Sequence, residues 1–214
     1  MSLNTELEAW ESVFINYFER NTFDDGSHDI HHFKRVWKTA QLILKSEEPC
    51  DVLLVLAGCY FHDCVHFEKN DPRRAEASTF AAKKAIEILT ELQFPTEKLD
   101  ELYHVIQAHS FSANILPETI EAKIVQDADR MEALGAIGIA RCFYTAGRLN
   151  SQLFHTEDPM AKQRKLDDKT YALDHFEKKL LYLPETMQTA SGKQLAQKRA
   201  YVISEFRKQL ISEL

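Results

Sequence analysis

A histidine and an aspartate stand side by side at the end of an apolar stretch, and this pair has the clearest chemical meaning in the sequence. His62 and Asp63 follow the uncharged, largely apolar segment 52–61. An imidazole and a carboxylate are ligands that suit a divalent cation such as Mn, Fe, Co, Ni or Zn. A carboxylate this close to a core also needs a partner, which a cation supplies. The pair is therefore one half of a candidate metal site.

An upstream segment offers further imidazoles. His28 and His32 are four residues apart, so they share a face if both are helical, and either is then a candidate ligand. If Ser27 or Asp29 caps the helix instead, His28 lies outside it and His32 lies one turn inside. His31 points about 100° away from His32 on a helix, so we expect it to take no part.

A downstream segment offers two carboxylates, Asp127 and Asp129. Ile120, Ile124 and Met131 define an apolar side of the predicted helix, and Asp127 lies closer to that side than Asp129. Alanines crowd the other sides, so we expect this helix to be buried all round. Periodicity therefore leaves both carboxylates open as the residue that faces a metal.

The elements that must position these residues are predicted to be helices. Apolar residues recur at helical spacing, Gly and Pro number only six each in 214 residues, and no segment alternates strictly enough for a strand. Asp51 and Thr96 are expected to cap helices, and Pro117 to start one at Glu118. The predicted helices are approximately 5–20, 29–45, 52–62, 73–92, 97–109, 118–129, 136–146, 171–183 and 193–214. The fold class is thus all-α.

The organisation predicted along the chain is one helical domain over 1–214. Its metal-binding core would span about 20–147 and its C-terminal loop and helices about 148–214. The polar stretch 148–170 is interpreted as a long loop, and loops of that length are often functional. The net charge of −7 argues against general nucleic-acid binding, although a local basic cluster can still oppose it. Without a signal peptide or an apolar run near the roughly 20 residues of a membrane span, a cytoplasmic protein is expected.

Taken in order, His32, the pair His62-Asp63 and Asp129 resemble the H…HD…D signature of the HD-domain metal-dependent phosphohydrolases. Longer segments resemble the bacterial YpgQ/YedJ-like subgroup of that family over roughly residues 20–210. The resemblance implies an HD-domain helical bundle whose metal ligands are His32, His62, Asp63 and Asp129. Asp129 is preferred to Asp127 because its Ala-Asp-Arg context matches the family. The segments that carry the subgroup likeness are 28–36, 109–113, 127–130, 135–141, 166–168 and 171–176.

Catalytic roles are assigned to three residues around this metal. Asp63 is expected to orient or deprotonate a water molecule, and His109 to protonate a leaving oxygen or bind a phosphate. Arg35 lies three residues after His32 on nearly the same helix face, where a guanidinium fork can hold a phosphate; a surface charge or a support for a ligand carboxylate is the alternative. Lys69, Arg73 and Arg164 are further candidates for a rim that binds an anionic substrate, and Arg74 and Lys165 accompany them.

The predicted function is metal-dependent hydrolysis of a phosphate or pyrophosphate bond of a nucleotide. The resemblance suggests a nucleoside triphosphate, including deoxynucleotides, as the small anionic substrate. One divalent ion per chain is expected, from among Mn, Co, Ni, Fe, Zn and Mg; His66 is thin support for a second. The alternatives are a nucleoside monophosphate phosphatase, a cyclic-nucleotide phosphodiesterase or a non-catalytic regulatory helical module. The intact set of four ligands argues against the last of these.

Overall fold

A computed structural model describes residues 3–21, 29–47, 49–65, 67, 71–110 and 113–214. The described chain is helical, and its β-type pairing is an isolated bridge between Gln152 and Tyr171, so the all-α prediction is confirmed. The chain divides into two compact units, Met1–Asp129 and Arg130–Leu214. The α-helices are α1 Leu3–Arg20, α2 Ile30–Leu44, α3 Val52–Phe61, α4 Ala77–Glu91, α5 Leu99–Gln107, α6 Ile120–Arg130, α7 Gly135–Arg148, α8 Ala172–Lys178 and α9 Ala190–Ser212. Short 3-10 helices lie at Pro72–Glu76, Thr96–Lys98, Met131–Ala133 and Leu180–Thr186.

Helix α3 forms the centre of the first unit because it is apolar on every side. Residues 53–61 are all buried, as expected of a helix without a polar face. Helices α1, α2 and α5 pack against it. Aromatic rings fill the space between α1 and the end of α3, with Phe14 and Phe61 in an edge-to-face contact at 5.1 Å between ring centroids. The C-terminal end of α3 is thereby held in a rigid, dry environment.

A glycine in α3 allows a close approach to two neighbouring helices. A Cβ atom built on Gly58 would lie 2.7 Å from a methyl group of Val105 on α5 and 2.9 Å from one of Val125 on α6. Both distances are shorter than real Cβ contacts, so no other residue fits without a shift. The small side chain therefore sets the spacing of the three helices whose ends carry or precede His62, His109 and Asp129.

Two of the predicted caps are confirmed, whereas one cap and one predicted helix start are wrong. The carboxylates of Asp29 and Asp51 accept backbone N–H groups at the starts of α2 and α3. Thr96 is not a cap, because Pro95 occupies the position before a 3-10 turn in which Thr96 is the first residue. Helix α6 begins at Ile120 rather than at Glu118, and the Thr119 hydroxyl accepts the N–H of Ala122.

The second unit has its own core, formed by α7, α8 and α9 around buried residues such as Phe176, Leu183 and Ile203. Gly138 lets α7 start tightly, since a Cβ there would lie 2.3 Å from the carbonyl of Ala133. The predicted helix 171–183 is shorter than expected: α8 ends at Lys178, and a 3-10 helix follows. Among the described residues, no helix is long and apolar enough to cross a membrane.

Candidate metal centre

Three segments of the first unit bring the candidate ligands together at helix ends. His32 lies in the first turn of α2, where its backbone N–H donates to the capping carboxylate of Asp29 at 2.9 Å. His62 occupies the C-cap of α3, and Asp63 follows where the chain leaves the helix. Asp129 lies in the last turn of α6. His62 still has helical backbone angles, and Asp63 lies in the turn that follows, so both side chains lie at the end of α3.

The side chains of His32, His62, Asp63 and Asp129 converge on one small volume. One ligand atom from each lies within 4.8 Å of the ligand atoms of the other three. The two Nε2 atoms of His32 and His62 are 3.1 Å apart. Oδ1 of Asp129 lies 3.7 Å from Nε2 of His32 and 3.5 Å from that of His62, and Oδ2 of Asp63 lies 3.6 Å from the latter.

In its neutral form, His62 presents an electron pair to this volume. Its Nδ1–H donates to the carbonyl of Cys59 at 3.0 Å, which leaves Nε2 directed at the other three residues. Such a bond from the second ring nitrogen is the usual way in which a protein orients a metal-ligating histidine. Both imidazoles are fully buried, whereas the Asp63 and Asp129 side chains are about one quarter exposed. The carboxylate side of the cluster therefore retains access to solvent.

The electrostatics of the cluster favour positive charge at its centre. Burial lowers the pKa of His62, but Asp63 and a hydrogen bond with Asp129 outweigh it, and the pKa rises to about 9. Burial likewise raises the pKa of Asp129, yet the hydrogen bond with His62 dominates and holds it well below its usual range. A site that stabilises a proton between two carboxylates this strongly has the charge balance that a cation needs.

The donor set fits a divalent metal ion. Two ligands at about 2.1 Å from an ion are separated by roughly 3.0 Å at a right angle and 3.4 Å at a tetrahedral angle. The observed separations from Nε2 of His62, 3.1 to 3.6 Å, and the 3.7 Å between His32 and Asp129 are close to these values. Two imidazole nitrogens and two carboxylates also match the ligand types of Mn, Fe, Co, Ni and Zn sites. The cluster is thus able to hold a divalent metal.

His109 lies beside the carboxylate edge of the cluster. It follows α5, is 4% exposed, and places Nε2 at 3.2 Å from Oδ1 of Asp63. Its Nδ1–H donates to the carbonyl of Ile106 at 2.6 Å. Because Nδ1 already carries a hydrogen, Nε2 donates to Asp63 only when the ring is an imidazolium. The contact therefore brings an ionisable ring nitrogen close to a carboxylate oxygen of the cluster.

The other candidates are placed less directly. Asp127 is fully buried and Arg35 half-buried, with Arg35 one turn after His32 on α2. The guanidinium of Arg73 donates to the carboxylate of Asp71 at 2.7 Å, and this hydrogen bond lowers the pKa of Asp71 to about 2. The same guanidinium stacks on the ring of Phe67. Arg164 forms a two-pronged pair with Asp174 in the second unit, at 2.5 and 2.7 Å. His28, His66 and Lys69 lie outside the described residues.

Sequence reasoning missed the groups that orient the histidines. The carbonyl of Cys59 orients the imidazole of His62, and the carbonyl of Ile106 orients that of His109. Gln126 donates a hydrogen bond to the backbone carbonyl immediately before His109. Each of these carbonyls lies three residues before its histidine, which is the spacing expected at the end of a helix. This spacing is the signal in the sequence that could have predicted the two bonds. Glu132, where the resembling subgroup more often has Asp, is buried in the second unit beside Arg141.

The comparisons with known proteins agree with this geometry. The sequence profile of the HD domain family matches residues 29–134. The YpgQ protein of Bacillus subtilis is 32% identical over 200 residues, which cover 90% of this chain and 87% of that protein. The crystal structure of B. subtilis YpgQ in complex with ADP aligns with a TM-score of 0.70 at 27% identity, covering 98% of this chain and 94% of that one.

A further solved structure is that of an HD-superfamily hydrolase from Bacillus thuringiensis. It aligns with a TM-score of 0.72 at 28% identity and covers 99% of this chain and 98% of its own. The family profile spans all four clustered residues, and the relatives match nearly the whole chain. The chain therefore belongs to the HD-domain family and is a metal-dependent phosphohydrolase of the HD superfamily.

Proposed function

We propose that this phosphohydrolase cleaves a phosphoanhydride bond of a nucleoside triphosphate, of the ribose or deoxyribose series. The observation that carries the proposal is the convergence of two imidazoles and two carboxylates within 4.8 Å, with a histidine beside them. A relative that matches 98% of this chain binds ADP, so a nucleotide with a chain of phosphates is the substrate class in best agreement. The clustered carboxylates alone would repel such an anion, so the site needs a cation to accept it.

We assign His32, His62, Asp63 and Asp129 as the residues that hold one divalent ion. When bound, the ion acts as a Lewis acid that polarises a phosphoryl oxygen and lowers the pKa of water. The carbonyl of Cys59 holds His62 in the required tautomer. The carboxylate of Asp29 accepts the backbone N–H of His32 and so fixes the start of α2. These supports let the imidazoles keep their positions without reorganisation when substrate arrives.

Asp63 and His109 are assigned as the base and acid of the reaction. The carboxylate of Asp63 accepts a proton from the water that attacks phosphorus, and the P–O bond on the opposite side breaks. As an imidazolium, His109 donates the proton of Nε2 to the departing oxygen. The 3.2 Å separation of the two groups lets them exchange that proton afterwards and return to the starting state.

Arg35 is assigned to a substrate phosphate. It lies three residues after His32 on α2, so the two residues lie on nearly the same face of the helix. The forks of Arg73 and Arg164 are already bonded to Asp71 and Asp174, so a phosphate would compete with a carboxylate at either. Lys69 stays a candidate for the rim on its position in the sequence.

The test is a product-release screen with purified protein. Ribo- and deoxynucleoside tri-, di- and monophosphates and cyclic nucleotides are incubated with Mn, Mg, Co or Ni, and phosphate and pyrophosphate are measured separately. We expect release from triphosphates, complete loss in Asp63→Ala, and little change in His31→Ala. Release confined to monophosphates or cyclic nucleotides would replace the substrate assignment. Equal losses in the two variants, with both folded, would remove the role of Asp63.

A further inference from the structure

Gln126 connects the helix that carries Asp129 to the residue before His109. It lies on α6 one turn before Asp129, is 1% exposed, and donates from Nε2 to the carbonyl of Ala108 at 2.6 Å. We infer that Gln126 is a positioning residue, which holds His109 at its working distance from Asp63. The inference rests on the function proposed above for His109 and names a residue through which that function is maintained.

The bond acts on the peptide unit that leads into His109. Ala108 is the C-cap of α5, so its carbonyl has no partner within the helix. The carbonyl of Ala108 and the N–H of His109 belong to one rigid plane, so fixing the oxygen fixes the direction in which His109 leaves the helix. The N–H of His109 then reaches the carbonyl of Ile106 at 3.4 Å, and Nδ1–H reaches the same oxygen at 2.6 Å.

The hydrogen-bond balance argues that orientation, more than stability, is what this amide provides. Among the described residues no hydrogen bond reaches Oε1 of Gln126, although the atom is buried. The side chain therefore satisfies one buried acceptor, the carbonyl of Ala108, and leaves another of its own unsatisfied. A methionine of similar volume would leave the same number of unsatisfied acceptors. The distinctive contribution of the amide is that it selects where the Ala108 carbonyl points.

The consequence is a connected path across the site. Asp129 and Gln126 share α6, Gln126 fixes the peptide before His109, and His109 contacts Asp63 at 3.2 Å. The bond between Gln126 and Ala108 thereby fixes the position of His109, which follows α5, relative to Asp129 on α6. Loss of the amide would free the peptide unit between Ala108 and His109 to rotate, while leaving the four metal-holding side chains in place.

The experiment combines Gln126→Met with His109→Ala in a double-mutant cycle. Release of phosphate or pyrophosphate from the best substrate is measured as kcat and KM with saturating metal, together with bound metal per chain. We expect Gln126→Met to lower kcat roughly tenfold to a hundredfold, the cost of about an ångström of misplacement. KM and metal content should stay within about twofold, and in the His109→Ala background Gln126→Met should cause no further loss.

The matched control is Gln107→Met. Gln107 also donates an amide N–H between helices near the end of α5, to the hydroxyl of Thr79 at 3.0 Å, but it does not bond to the peptide before His109. We expect its kcat to stay within about twofold of the unmodified protein. If Gln126→Met does not fold, Gln126→Leu is used in the same cycle.

Two outcomes would overturn the inference, and a third separates it from the proposed function. Unchanged kcat in the folded Gln126 variants would exclude a positioning role. A loss of the same size in the presence and absence of His109 would show that Gln126 does not act through His109. Full activity of His109→Ala would instead remove the proposed role of His109 itself, and with it the reason for positioning it.

Discussion

The close approach at Gly58 can be tested by adding a single methyl group, in Gly58→Ala. The new Cβ would lie 2.7 Å from Val105 and 2.9 Å from Val125, whereas ordinary contacts begin near 3.4 Å. Both valines are fully buried and β-branched, so they cannot rotate away. The helices must therefore separate by about half an ångström or more.

The expected effect combines two opposing contributions. Overpacking of a buried site costs about 1–3 kcal/mol, while alanine gains about 0.5–1 kcal/mol over glycine inside a helix. We therefore expect a net loss of up to about 2.5 kcal/mol in the free energy of unfolding. Because α5 leads to His109 and α6 carries Asp129, the displacement should also lower kcat by roughly tenfold or more.

The assay pairs denaturant unfolding with substrate turnover, and Gly147→Ala is the matched control. Gly147 lies in α7, where a new Cβ would meet no atom within 4 Å. That variant should gain about 0.5–1 kcal/mol in stability and keep its activity. A Gly58→Ala protein that is stabilised like the control, or that retains full turnover, would refute the reasoning about helix spacing.

Further predictions concern the arginines. Arg35→Lys should lower kcat/KM by roughly five- to a hundredfold, about 1–3 kcal/mol, because lysine keeps the charge but loses the planar fork. Its metal content should be unchanged. A parallel fall in metal content would instead show that Arg35 supports the metal ligands. Asp174→Asn should lower the free energy of unfolding by about 1.5–3 kcal/mol at neutral pH, since the buried carboxylate accepts from Arg164 and from the N–H of Asp167. Burial raises the pKa of Asp174, but these bonds outweigh it and lower the pKa, so this stability is present above about pH 4 and is lost as pH falls further. Titration of unfolding against pH should therefore show the unmodified protein and Asp174→Asn converging below that pH, and a constant difference would contradict the assignment.

The helices were predictable from the sequence because their signals are local. Carboxylates at the right offset cap α2 and α3, and the apolar content of residues 52–61 predicts a buried helix. The start of α6 was misplaced by two residues because two cap signals compete there. Proline favours a first turn at Glu118, but the hydroxyl of Thr119 accepts an N–H, and the N–H of Glu118 donates to His104 instead. Such a choice depends on a residue 14 positions away and is not local.

The cluster itself shows where local reasoning stops. Helical periodicity left Asp127 and Asp129 undecided, because α6 is buried on most sides and polar residues are among those buried. It also could not show that His62 and Asp63 both reach one point, since that depends on the turn in which the chain leaves α3. The resemblance to a family selected Asp129, and the close approach at Gly58 gives a physical reason why the ends of α3 and α6 lie near each other.

The charged residues proposed for the substrate rim illustrate another limit. A sequence shows that Arg73 and Arg164 are cationic but not which carboxylate each one meets. Asp71 lies two residues from Arg73, and Asp174 lies ten residues from Arg164 across a loop. Both guanidinium groups are already bonded to a nearby carboxylate. The number of cationic residues in the sequence therefore overstates the number of positive charges available to bind a ligand.

The central claim is that His32, His62, Asp63 and Asp129 hold one catalytic divalent ion. The most direct measurement is metal per chain, by mass spectrometry of the purified protein equilibrated with Mn and separated from free ion. The unmodified protein and His31→Ala, whose altered side chain is exposed on α2, should each retain close to one ion. Asp129→Ala should retain far less and lose nucleotide hydrolysis in proportion. Equal metal content in Asp129→Ala and the unmodified protein, with both folded, would contradict the account.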